Sequence, residues 1–192
     1  MGSITFGFPF WKLEPADWDL VLKVNLLGAV NIAHTFAPAL AGAVGSAPGA
    51  AALLDPDTSS NRSMLFLSSV AGQIGSQTDP PYSAAKAAII NFAQCAAKDL
   101  APYGVRVNTL CPGMVPTPLN RGVYEAWARE QPEGERSSYE AWSAEKIKKL
   151  VPLNRWQRPE EIAAMAVFLA SAPARNITGQ TINVDGGYVM HW

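Results

Sequence analysis

The sequence predicts an α/β fold built on a parallel sheet. Three observations carry this reading. The apolar run at 64–67 and the stretches 105–110 and 181–184 have the length of strands, not of helices. They alternate with segments in which apolar residues recur every three or four positions. Proline or glycine punctuates most of the changes from one kind of segment to the next. Strands separated by helices pair in parallel, because each helix carries the chain back over a face of the sheet.

Composition narrows the classes of function. The 192 residues are 48% hydrophobic and 16% charged, which excludes disorder as the dominant state. That length can bury a sizeable core as a single domain. The net charge is −1, with no basic stripe, so neither a nucleic-acid nor a membrane partner is expected. Cys95 and Cys111 are the only cysteines, and His34 and His191 the only histidines. This excludes a disulfide scaffold and a Cys-rich zinc site, and no metal is expected. The start of the chain has no signal-peptide pattern, and no run reaches 18 apolar residues. No transmembrane helix is expected, and a cytoplasmic location is the default expectation.

Along the chain, residues 1–13 contain Gly2, Gly7 and Pro9 and read as a loop. Pro15 suits the first turn of a helix. Trp18, Leu22, Asn25, Ala29, Ile32 and Phe36 form its stripe, with Asn25 as a polar amide on the face due to be buried. Residues 41–63 are rich in Gly, Pro and Ser and predict a long surface insertion. The strand at 64–67 delivers Ser68 and Ser69 at its carboxyl end, and 70–79 is a loop with Gly72 and Gly75.

Pro80 and Pro81 open a second helix, with Tyr82, Lys86, Ile89, Ala93, Ala96 and Leu100 along one face. The small residues Ala84, Ala85, Ala87 and Ala88 predict close helix packing. Pro102 and Gly104 end this helix, and Pro112-Gly113 closes the strand at 105–110. Residues 114–158 read as irregular with helical patches and carry Tyr124, Trp127, Tyr139 and Trp142. Pro159 starts a third helix with Glu160 and Glu161 in its first turn, where they suit the helix dipole. Its stripe is Ile162, Met165 and Leu169, and Gly179 leads into the last strand.

The chemistry lies in Ser69, Tyr82 and Lys86. Tyr82 and Lys86 are four apart on a helix and share one face. A phenol titrates near 10, and an ammonium one turn away favours its phenolate. A tyrosine so tuned exchanges a proton with an alcohol or a carbonyl near neutral pH. Ser69, thirteen residues earlier at a strand end, can donate a hydrogen bond to the same oxygen. Taken alone, Tyr-x-x-x-Lys is equally a surface pair on an amphipathic helix, and Asn25 equally a buried amide bonded to backbone carbonyls. Cys95 and Cys111 read as inert, Cys111 having no cation beside it in sequence.

Further motifs stand in a fixed order around this group. They are Val24-Asn25-Leu26-Leu27-Gly28, then Asn108 through Thr117 with Pro112-Gly113 at its centre, then Pro152-Leu153-Asn154-Arg155 and Arg158-Pro159-Glu160-Glu161, and finally Ile177-Thr178-Gly179 through Asp185-Gly186-Gly187. Together they resemble the short-chain dehydrogenase/reductase family over nearly the whole chain, from about Gly2 to Tyr188.

The resemblance implies a Rossmann-like, doubly wound parallel sheet. It also implies an NAD(P)-dependent alcohol/carbonyl oxidoreductase acting on a small alcohol or ketone. It gives Tyr82 the role of proton donor or acceptor. It gives Lys86 two roles, lowering the tyrosine's pKa and holding the nicotinamide ribose. Ser69 would orient the carbonyl, and Asn25 would hold a water in the proton relay. Pro112, Gly113, Val115 and Thr117 would contact nicotinamide and phosphate. The segment 114–158 would be a substrate lid, with an aromatic-lined pocket, and the helix that carries Tyr82 would pack between subunits of a homodimer or homotetramer.

The sequence departs from the family at its start. No glycine-rich turn between a strand and a helix occurs, so the main cradle for the pyrophosphate is absent. Gly2-Ser3-Ile4-Thr5 looks like the end of the family's fourth strand, and the three strands found match its fifth to seventh. The expectation is therefore an N-terminally truncated member of the fold. Two functions stand: an oxidoreductase binding NAD or NADP, or a non-catalytic partner chain that oligomerises without cofactor.

Overall fold

The computed structural model describes residues 9–42, 62–75 and 79–190. Three parallel strands lie in the order β1 (Ser63–Leu67), β2 (Arg106–Pro112), β3 (Thr181–Val184). The register runs from Ser63 opposite Arg106 to Leu67 opposite Leu110, and from Thr109 opposite Thr181 to Pro112 opposite Val184. β2 is the centre, with 106–111 all buried. The strands begin and end within a residue or two of their expected limits.

Alternate side chains of β2 serve two cores. On one face Val107 packs with Phe66, with Ala33 of the first helical rod and with Ile89, Ala93, Ala97 and Leu100 of α3 (Pro80–Leu100). On the other, Leu110 packs with Leu169 of α6 (Pro159–Ala170), and Leu65, Ile162 and Met165 close around them. Helices on both faces of a parallel sheet make the doubly wound arrangement. The buried Arg106 sends its guanidinium to the end of α6, with Nη1 2.7 Å from the Leu169 carbonyl and Nη2 3.5 Å from that of Ser171. A cation suits that end of a helix.

The first rod differs from its expected phase. It consists of α1 (Pro15–Leu22), one π turn (Lys23–Leu27) and α2 (Gly28–Gly42). A π turn takes up an extra residue and rotates the rest of the rod beyond it. The buried side therefore runs through Val21, Asn25 and Ala33, while Ile32 and Phe36 stand 64% and 58% exposed. The 28-residue rod is long and apolar enough to cross a bilayer by length and composition, contrary to the sequence reading. One side of it packs against α3, and among the described residues nothing packs over Ile32 and Phe36 on the other.

The segment 114–158 is more regular than expected. It holds α4 (Pro118–Glu130) and α5 (Tyr139–Leu150). Ser138 caps α5 by accepting the Ala141 N–H at 3.1 Å, and Ile147 and Val151 dock it on Met114. The expected loop at 1–8 and residues 43–61 of the expected insertion lie outside the described residues.

Candidate active site

Parallel strands end together, so the segments leaving β1, β2 and β3 gather at one edge of the sheet. Ser69 stands two residues beyond β1. The turn Val70–Gly72 then carries the chain to α3, which Asp79 caps by accepting the Tyr82 N–H at 3.0 Å, with Pro80 in the first helical position. Tyr82 and Lys86 thus occupy the first two turns of α3.

Three devices seat the Ser69 turn on α3. Ser68 donates its hydroxyl to the Lys86 carbonyl at 2.7 Å, and Ser83 donates to the Ala71 carbonyl at 2.5 Å. Gly72 lies so close that a Cβ there would come within 2.6 Å of the Lys86 backbone. The outcome is the trio expected from the sequence. Ser69 lies near enough to Tyr82 to pull its phenol down, and Ser69 Oγ accepts the Ala71 N–H at 3.2 Å. Lys86 Nζ lies 5.4 Å from the centre of the Tyr82 ring and donates to the Leu67 carbonyl at 3.1 Å.

The electrostatics differ from expectation. Burial is the largest influence on Tyr82 and holds its phenol above the ordinary value of 10.0. Ser69 pulls down, while Asp79 and Cys111 push up. Burial also lowers the Lys86 ammonium. The expected depression of the phenol is not realised, because a buried phenol resists ionisation and the ammonium is turned to the Leu67 carbonyl. Tyr82 is a neutral phenol at pH 7.

Asn25 is buried in the π turn, which packs against α3, and its Nδ2 donates to the Val21 carbonyl at 3.1 Å. Pro112 ends β2, with Gly113 directly after it. A Cβ on Gly113 would lie 2.7 Å from the side chains of both Asp185 and Gln157, so only glycine fits this approach. Val115 accepts from Asn120 Nδ2 at 2.7 Å. Thr117 is the N-cap residue of α4, and its side chain makes no capping bond. A free hydroxyl beside a helix N-terminus suits an amide or phosphate oxygen.

Cys111 is buried beside this group, where burial raises its thiol more than the neighbouring Ser68, Ser69 and Gln73 lower it. Lys86 does act on it, a cationic neighbour that the sequence did not reveal, but the net shift keeps the thiol protonated.

The aromatic residues of the lid segment do not line a pocket. Tyr124, Trp127, Tyr139 and Trp142 pack on one another with ring centres 5.5 to 6.1 Å apart, joining α4 to α5. Arg121 covers Tyr139 at 4.6 Å and Lys146 covers Trp142 at 4.7 Å. The two cavities described, about 480 and 340 Å³, flank β3 and include none of these rings nor the Ser69 trio.

Ser68, Gly72, Gln73, Asp79 and Ser83 build the site; the sequence placed Ser68 and Gly72 by position only and gave none of the five a role there. Asp79 alone carried a usable signal, since an acidic residue directly before a proline-initiated helix is a cap signature.

A family model described as enoyl-(acyl carrier protein) reductase matches residues 3–189. A 3-oxoacyl-(acyl-carrier-protein) reductase of Thermotoga maritima is 32% identical over 179 residues, which are 93% of this chain and 60% of that protein. Its counterpart in Synechocystis is 36% identical, again over 93% of this chain and over 58% of that protein. The chain thus spans about three-fifths of these relatives. Among solved structures, a gluconate 5-dehydrogenase of Burkholderia cenocepacia in complex with NADP and tartrate matches with a TM-score of 0.76 and 28% identity, covering 98% of this chain and 62% of that one. A 3-oxoacyl-(acyl-carrier protein) reductase of Brucella melitensis gives 0.75 and 31% identity, over 98% and 61%.

Proposed function

The chain belongs to the short-chain dehydrogenase/reductase family, and from that membership we propose that it works as an NAD(P)-dependent oxidoreductase interconverting a small ketone and its alcohol. The observation that carries the proposal is the gathering of Ser69, Tyr82 and the Lys86 ammonium, 5.4 Å from the Tyr82 ring, at the carboxyl ends of parallel strands. The non-catalytic alternative draws no support from the relatives, whose names are those of enzymes.

The residues fit the nicotinamide end of the cofactor. Thr117 offers an uncommitted hydroxyl at the start of α4, and Pro112, Gly113 and Val115 supply the wall that leads to it. Lys86 offers an ammonium to ribose hydroxyls. The binding partner of one neighbour, NADP, supports the cofactor class. When bound, the nicotinamide supplies or takes the hydride. No glycine-rich pyrophosphate turn occurs in these 192 residues, which offer no such cradle to the adenosine end.

In the reducing direction Tyr82 gives its phenolic proton to the carbonyl oxygen. Ser69 donates a hydrogen bond to that oxygen and fixes its direction. Lys86 steadies the phenolate left behind, its own charge held near by the Leu67 carbonyl. Asn25 is assigned the water that returns a proton to this group. The exposed side of the first rod supports a homodimer or homotetramer.

Titration of the purified chain with NADPH and NADH, followed by cofactor fluorescence, tests the cofactor class. A saturable change supports it, and no change up to millimolar cofactor removes it for this chain. Tyr82→Phe is expected to lower ketone reduction by at least about 100-fold. Unchanged turnover would remove Tyr82 as the proton carrier.

A further inference from the structure

Ser69 is held from two sides, and only one of them is α3. The other begins at Gln73, the residue after the Val70–Gly72 turn. Its side-chain amide and that of Asn183 on β3 bond reciprocally. Gln73 Nε2 donates to Asn183 Oδ1 at 2.7 Å, and Asn183 Nδ2 donates to Gln73 Oε1 at 3.0 Å. The partners are 110 residues apart in sequence. β1 and β3 do not touch, since β2 lies between them. The amide pair therefore crosses the end of β2.

Asn183 is anchored in turn. Its Nδ2 also donates to the Val189 carbonyl at 3.1 Å. The Asp185 carboxylate accepts the N–H groups of Gly187 and Val189 at 2.9 and 2.7 Å. The segment after β3 is thus folded onto the residue that meets Gln73.

We infer that Gln73 and Asn183 are positioning residues, an amide clasp that fixes the Ser69 turn against the carboxyl-terminal strand and so aims the Ser69 hydroxyl at Tyr82. Two matched amides satisfy all of each other's facing donors and acceptors, which makes the clasp sensitive to length and to the loss of either half. Without it the turn keeps only its α3 contacts and the Ser68 N–H bond to the Leu110 carbonyl, and can pivot on Ser68 and Ser83. The mechanical coupling stands on the geometry. Its catalytic meaning rests on the functional reading above.

The test uses Gln73→Leu, Asn183→Leu and the exchanged pair Gln73→Asn with Asn183→Gln, which keeps the total length of the clasp. Each single variant is expected to lower kcat about tenfold with KM little changed, since small displacements of a positioned donor cost rate more than binding. Because Ser69 pulls the Tyr82 phenol down, the alkaline limb of the pH profile moves to higher pH in the single variants. The exchanged pair restores both. Singles with wild-type kcat and pH profile, or an exchanged pair no better than the singles, overturn the inference.

Hydrogen exchange separates this outcome from a failure of the functional reading. In either single variant the amides of Gly72, Gln73 and Ile74, which bond Ser69 and Val70 carbonyls, are expected to lose about tenfold in protection while those of Ile89 to Ala93 hold. If the wild-type chain shows no turnover, the functional reading fails and exchange alone decides the clasp. Unchanged protection in both single variants overturns it.

Discussion

Tyr82 sets the direction in which the site works best. Its phenol stays neutral because burial outweighs the pull of Ser69. A ketone reduction consumes a neutral phenol, and an alcohol oxidation needs the phenolate. The folded pKa lies above 10.0. Reduction is therefore expected to be flat between about pH 6 and 9, while oxidation climbs by roughly a factor of ten per pH unit over the same range. Initial rates measured in both directions at saturating cofactor check this, and an oxidation rate that levels off near pH 8 would show a depressed phenol. The same burial makes the phenol a liability in alkali: above 10.0 the unfolded chain ionises Tyr82 while the folded chain resists, so stability falls there. Gly72 is the second residue that decides the geometry. A Cβ 2.6 to 2.9 Å from the backbone of Lys86 and Ala87 has no flexible atom to displace. Gly72→Ala is expected to push the Ser69 turn off α3 and to lower turnover about 100-fold, read as kcat in a steady-state assay.

At the scale of elements, the helices owe their ends to charge placed at backbone groups. Glu161 accepts the Arg158 N–H at 2.7 Å and pairs with Arg155 at 2.6 Å, closing the start of α6. The Arg155 bond, first, and the Arg158 N–H then hold its carboxyl down from 4.5 to about 2. A depressed carboxyl stabilises fully above 4.5 and loses that contribution as pH falls toward 2. Glu161→Gln is expected to flatten the pH dependence of the urea midpoint between those limits, and an unchanged slope would show the pair to be idle. At the other end of α6, Arg106 reaches carbonyls of Leu169, Ser171 and Ile177. Arg106→Met leaves these buried acceptors without their cation and is expected to cost about 3 kcal/mol, read as a lower urea midpoint with an unchanged slope. These end contacts join residues more than sixty positions apart. That is why the sequence placed α6 from Pro159 and the first-turn glutamates but left Arg106 as an unremarked member of a strand.

The whole molecule shows which signals a sequence carries and which it does not. The sheet was legible because short stretches of strand length alternate with helical segments and are bounded by Pro and Gly, and the Ser69, Tyr82 and Lys86 trio because helical spacing and a strand end are local facts. The phase of the first rod was not, since one π turn rotates Ile32 and Phe36 out of the stripe that even spacing assigns them. Nor was the lid's interior, because four rings spaced for a pocket pack on one another just as well. The rotated rod leaves a consequence at this scale. Leu20, Val24 and Leu27 before and within the π turn, and Ile32 and Phe36 after it, are 42 to 64% exposed along one rod. Contiguous apolar surface of this kind is stable in water when another surface covers it, and a two-fold axis lets one stripe cover its own copy. The chain is therefore expected to sediment as a dimer or tetramer. Ile32→Glu with Phe36→Glu puts like charges opposite each other across such an axis and is expected to yield monomers with the far-ultraviolet spectrum unchanged, since both side chains face away from the core. A wild-type monomer would overturn the expected assembly, and a double variant that keeps the oligomer's mass in solution would place the subunit contact elsewhere on the molecule.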